Sequence, residues 1–189
     1  MVVYHIDRSC NLKEGQVIEL DQEYFKSISR LKEPMGRYFP EGFSSHGKNM
    51  TSSISSFLIA NLSNPVIEAY FEMVRLKCFS HLPSRYQIIF ALDYIKDIND
   101  WPELIGSESS YKIFEIEVPS AAIHRFDSRL LFPGINKCNG LYEFLPHAVI
   151  ENAYNYWSRK LSKNPRYEIL LKLPVTIGKE ISILPTKEN

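Results

Sequence analysis

Tyr167-Glu168-Ile169-Leu170-Leu171-Lys172-Leu173 is an apolar run of strand length with a carboxylate set inside it. A buried, unpaired carboxylate is expensive, so the surroundings of Glu168 decide how the carboxyl end of the chain is read. Either Glu168 faces solvent on an edge strand, or it faces a cleft and is put to use. Two further segments have the same strand-like character. Val3-Tyr4-His5-Ile6-Asp7-Arg8 lies at the amino end, and Pro83-Ser84-Arg85-Tyr86 opens the apolar run Ile88-Ile89-Phe90-Ala91-Leu92. Tyr111-Lys112-Ile113-Phe114-Glu115-Ile116-Glu117-Val118 alternates strictly and predicts a half-exposed strand. A last short strand is expected at Ile181 to Leu184.

Helical spacing fills much of the interval. Asp21 is an expected N-cap, with Tyr24, Phe25, Ile28 and Leu31 following at helical spacing. Thr51 to Leu62 and Pro65 to Phe79 are predicted helices. Val66, Ile67, Tyr70, Val74 and Cys78 are expected along one face of the second. A short helix is expected near Asp93 to Leu104. Pro146 to Leu161 is another, with Val149, Ala153, Tyr156 and Trp157 on one side. Glu33 to Lys48, rich in proline, glycine and aromatics, reads as an ordered loop, and so does the stretch around Pro133-Gly134 and Asn139-Gly140. Strands near both ends with helices mainly between them predict an α+β fold rather than regular βαβ alternation.

The bulk properties agree with one globular domain over residues 1–189. Hydrophobic residues make up 44% of the chain, enough for a core without disulfides or metal. The 22 basic and 22 acidic residues cancel, which disfavours a general nucleic-acid binder. Three separated cysteines form neither a disulfide framework nor a metal motif. No glycine-rich phosphate loop and no HExxH pattern occur, so P-loop, Rossmann and compact zinc chemistry are not expected, and no metal is assigned. The start has no signal-peptide pattern and the apolar runs are too short to span a bilayer, so a soluble cytoplasmic protein is expected.

Several residues have both a functional and an ordinary reading. His5 is either a satisfied strand histidine or a hydrogen-bonding imidazole for a ribose or carboxamide. Arg8 is a surface cation or a fork for phosphate. Ser84 is a turn residue, or it places a hydroxyl at the entrance of a cleft together with Arg85. Tyr38 or Phe43, on the loop, offers a flat face for a base. His46, in Ser45-His46-Gly47, ranks below His5 because a loop histidine beside glycine is usually just solvated.

Tyr4-His5, then Pro83-Ser84-Arg85 leading into Ile88-Ile89-Phe90-Ala91, then Tyr156-Trp157 ahead of Tyr167-Glu168-Ile169-Leu170, together resemble the ADP-ribosyltransferase-like superfamily, and within it a bacterial and phage group. The resemblance runs in order over most of the chain. It implies a split, twisted β-sandwich with helices inserted mainly in the first half and NAD, as substrate, bent into the cleft. Glu168 would be catalytic, His5 would hold the ribose and Ser84 would order the pocket. Arg8, Arg85, Tyr38 and Phe43 are the other candidate NAD contacts. The activity implied is transfer of ADP-ribose to a protein or nucleic-acid acceptor, by a toxin or effector delivered into a target cell. An inactive adaptor on the same fold and an RNA 2′-phosphotransferase-like enzyme are the alternatives. The chain lacks the Ser-Thr-Ser signature at Ser84. It also has Arg166 where arginine-directed toxins place Glu or Gln two residues before the catalytic acid.

Overall fold

A computed structural model describes residues 1–24, 32–52, 63–101, 111–132, 134–138 and 141–181. Its strands are β1 (Val2–Asp7), β2 (Val17–Ile18), β3 (Ile88–Ala91), β4 (Lys112–Glu117), β5 (His124–Asp127), β6 (Ile135–Cys138), β7 (Leu141–Phe144), β8 (Tyr167–Lys172), β9 (Val175–Thr176) and β10 (Glu180–Ile181). Among the described residues four α-helices join them: α1 (Lys32–Tyr38), α2 (Ser45–Ser52), α3 (Ser63–Cys78) and α4 (Pro146–Trp157). All the paired strands are antiparallel, and the fold is α+β.

Two three-stranded sheets matter for the site, ordered β1-β4-β10 and β3-β8-β5. They touch where Tyr4 and Leu92 exchange backbone hydrogen bonds of 2.9 and 2.8 Å. Beyond that bridge β1 and β3 part, and the seam between the two sheets opens. Alternation along β8 explains how its side chains are divided. Ile169 and Leu171 join Val3, Phe114, Ile116 and Ile177 in a core between the sheets. Leu170, on the other face, packs with Ile67, Phe71, Phe126, Tyr156 and Trp157 under α3 and α4. Glu168 lies two residues before Leu170 and so shares the helix-covered face.

The helix α4 buries Val149, Ala153, Tyr156 and Trp157, as its spacing predicts. The stripe of α3 differs from the expected one. Ile67 and Phe71 are buried, but Glu68, Glu72 and Arg75 are buried with them, while Cys78 is exposed. Charged side chains hold these inward positions because each finds an oppositely charged partner. Two segments read as loops contain regular structure. The stretch from Glu33 to Lys48 supplies most of α1 and the start of α2, and the loop-rich region after Val118 contains β5, β6 and β7. Strand β5 has only four residues and mixes His124, Arg125 and Asp127 with Phe126, so pairing with β8 decides it rather than alternation. The expected helix over Asp93 to Leu104 is a 3-10 turn at Ile95–Asp100, and 102–110 lie outside the described residues. Asp21 accepts a bond from the Glu23 N–H as a cap would, but Phe25, Ile28 and Leu31 lie outside the described residues, as does most of the expected Thr51 to Leu62 helix. Glu180–Ile181 pairs with β4, and the rest of the last expected strand lies outside them too.

Candidate active site

A cavity of about 630 Å³ lies where β1 and β3 part. His5, Arg8, His46, Glu68, Arg85 and Glu168 line it, so the three strand-like segments that suggested chemistry meet there, joined by the Ser45-His46-Gly47 segment. Phe90, Trp101 and Arg166 also line it.

Glu168 is 4% exposed and sits on the central strand of its sheet. The edge-strand reading therefore falls. Its Oε1 accepts hydrogen bonds from Arg85 Nη1 at 2.5 Å and from the Tyr156 hydroxyl at 2.7 Å. Both bonds that the carboxylate accepts among the described residues fall on Oε1, leaving Oε2 for the cavity. Tyr156 is itself tied, accepting from Arg85 Nη1 at 2.7 Å while its ring stacks on Phe126. Burial, opposed by Arg85 and reinforced by Glu168 and Glu68, holds its hydroxyl well above the usual tyrosine range, so it stays a donor to Glu168.

Arg85 is the hub. Its Nε donates to Glu68 Oε2 at 2.9 Å, its Nη2 to Glu68 Oε1 at 2.9 Å, and its Cζ lies over the Phe90 ring, 4.9 Å from the ring centre. Burial alone would raise the Glu68 carboxyl, but Arg85 and then His46 outweigh it and hold the pKa down to about 2. Both nitrogen ends and the Nε of this buried guanidinium bond the two carboxylates and Tyr156, so Arg85 positions Glu168 and Glu68.

His5 donates its Nδ1–H to the Phe90 carbonyl at 2.7 Å, because a carbonyl can only accept. Burial lowers its pKa against smaller upward effects of that bond and of Asp7. The ring is thus neutral at pH 7, and Nε2 has a lone pair to accept a hydroxyl proton. Arg166 stacks on Trp101, 3.9 Å from the ring centre, and donates from Nε to Ser128 Oγ at 2.9 Å. Three backbone donors on Asp127, from Arg129, Ser162 and Arg166, hold the loop ahead of β8.

Three expected residues lie elsewhere. Phe43 is fully buried, stacked on Tyr86 at 5.5 Å in a core of its own with Phe39, and presents no face to the cavity. Tyr38 is 59% exposed and lines a separate groove of about 380 Å³. Ser84 lines that groove too, and its hydroxyl accepts from the Tyr86 N–H at 3.1 Å as a cap of the 3-10 turn Arg85–Gln87. Successive side chains point apart, so Arg85 faces the cavity and Ser84 does not.

The sequence assigns no role to Glu68 or Trp101, and Tyr156 and Phe90 enter there only within the segments that carry the resemblance. One signal was available for Glu68: Glu68, Glu72 and Arg75 follow at spacings of four and three, on the same helical stripe as Ile67 and Phe71. Among the described residues no group of three or more His, Cys, Asp or Glu could hold a metal ion, and no helix is long and apolar enough to cross a membrane.

A family model described as a protein of unknown function (DUF2441) matches residues 3–183, and the chain belongs to that family. No curated protein matches it.

Proposed function

We propose that this DUF2441 member is an ADP-ribosyltransferase that uses NAD as donor, on a split β-sandwich whose sheets part at the β1–β3 seam. The observation that supports this best is the meeting of His5 and Glu168 on one cavity, with the carboxylate held in place by Arg85 and Tyr156. A volume of about 630 Å³ is in the range of cofactor-sized sites.

His5 Nε2 accepts from a ribose hydroxyl. Glu168 Oε2 accepts from the 2′-hydroxyl of the ribose that bears nicotinamide. The bond from C1′ to the pyridinium nitrogen breaks heterolytically, and its electron pair leaves with neutral nicotinamide. Positive charge then spreads over C1′ and the ring oxygen, close to a carboxylate that needs no reorientation. Arg8 is the cation proposed for the diphosphate, and Phe90 and Trp101, in place of Tyr38 and Phe43, are aromatic side chains on the cavity wall against which a base can pack. Positioning and exclusion of water supply the rest of the rate. The acceptor is a macromolecule, modified in the cytoplasm of the cell in which the protein acts.

The test is incubation with labelled NAD and a cell lysate, reading the modified macromolecule. Glu168→Gln keeps the shape and removes the charge, and turnover is expected to fall at least about 100-fold. Near-normal turnover by the folded variant would sink the assignment. A binding module without chemistry is the rival, favoured by the two bonds already on Oε1. It predicts little or no heat on titration with NAD and no release of nicotinamide.

A further inference from the structure

His46 is a titratable group on the cavity to which the scheme above gives no part. It stands in the first turn of α2, which Ser44 caps by accepting from the Gly47 N–H at 3.2 Å. The helix is pressed onto the segment before β3. Ser44 N–H donates to the Tyr86 carbonyl at 2.8 Å, and a Cβ on Gly47 would come within 2.4 Å of that same oxygen. Only glycine allows this approach, and it sets the His46 ring edge-on to Phe90 with centres 4.9 Å apart. The adjacent glycine therefore fixes the histidine instead of leaving it in a solvated loop.

His46 Nε2 lies 3.1 Å from Glu68 Oε1, off the line of a good hydrogen bond, and is buried with no other partner. A carboxylate only accepts, so the ring proton belongs on Nε2, facing Glu68, and the lone pair on Nδ1. A quarter of the side chain remains open. The local charge count points the same way. Glu68 and Glu168 oppose the single cation Arg85, so a proton arriving on the imidazole brings the cluster into balance.

We infer that His46, oriented by Glu68, accepts the proton of the nucleophile that attacks the ribosyl centre, an inference that rests on the transferase reading. The nucleophile's oxygen bonds to C1′ as the bond to nicotinamide breaks. Nicotinamide leaves with that electron pair, and the O–H proton passes to Nδ1 and later to water. Apo geometry of this kind is commonly loose and tightens when substrate binds.

The experiment compares two nucleophiles on the full chain with NAD: water, which must lose a proton, and azide, which has none to lose. His46→Gln is expected to release nicotinamide about 100-fold more slowly than the wild type in water, and to form the ADP-ribosyl azide within about threefold of the wild-type rate. Glu168→Gln is expected to be slow with both. NAD-binding heat and melting temperature verify that His46→Gln is folded, and His46→Ala reads the same way if the longer side chain disturbs Phe90. A wild type that releases no nicotinamide under either condition overturns the transferase reading and this inference with it. A wild type that turns over, with His46→Gln as fast in water or as slow with azide as with water, overturns the role of His46 alone.

Discussion

Arg85 and Arg75 are both buried against a glutamate of α3, yet only Arg85 reaches the cavity. Arg75 donates from Nε and Nη2 to Glu72 Oε1, three residues back, and from Nη1 to the Leu82 and Ser80 carbonyls just ahead. It fastens the end of α3 to the turn that leads into β3. Arg85 joins Glu68, Tyr156 and Glu168, at sequence separations of 17, 71 and 83. The same chemistry thus makes a local staple in one place and a tertiary hub in the other. The acids differ as well. Burial pushes the Glu72 carboxyl up despite Arg75, whereas Arg85 and His46 overcome burial at Glu68.

Removing each arginine tests that contrast most strongly. Arg85→Met leaves two buried carboxylates without their cation and is expected to cost about 3–5 kcal/mol of unfolding free energy. Arg75→Met leaves one carboxyl that already tends to take up a proton, with an expected cost of about 1–3 kcal/mol. Equal shifts in the urea midpoint at constant slope would erase the distinction.

The pH dependence of the two glutamates should run in opposite directions. Glu68 sits below its ordinary 4.5, at about 2. Its stabilisation, roughly 3 kcal/mol, is present above pH 4.5 and lost as the pH falls toward 2. Glu72 sits above 4.5, so its contribution is complete below that value and is lost as the pH rises. In melts from pH 2.5 to 7, Glu68→Gln should lose stability at neutral pH and flatten the acid limb, while Glu72→Gln should lose little at pH 7. A Glu72→Gln protein as destabilised as Glu68→Gln would mean that both sites hold their charge equally.

Smaller effects sharpen the boundary of the site. Gly47→Ala forces α2 away from Tyr86, at an expected cost of about 1–3 kcal/mol, and should slow the release of nicotinamide in water by displacing His46. Ser84→Ala removes one cap on the groove side, costing about 0.5–2 kcal/mol in a thermal melt. It should leave NAD turnover unchanged, and a loss of turnover in a folded variant would return Ser84 to the cavity.

Local pattern was enough for β1, β4, β8, α3 and α4, because alternation and helical spacing are properties of neighbouring residues. The strangeness of a carboxylate in Tyr167–Leu173 was equally visible there. Which stripe of α3 faces inward was not, because an apolar count places glutamates in water. His46 was undervalued for a similar reason: the glycine after it suggests freedom, and only the contact with Tyr86 turns it into a constraint. Phe43 had the opposite fate, an exposed-looking loop aromatic that the fold uses as core.

The sequence by itself determined an α+β chain with strands toward both ends and one costly acid near the second. Tertiary structure alone decided that β8 is central, that Glu168 meets Arg85, Tyr156 and the wall of a cavity, and that Glu68 joins them. The physical reason is range. Strand and helix periodicity is written in side chains a few positions apart, whereas the partner of a buried charge is chosen by how the sheets and helices close over separations of 17 to 83 residues.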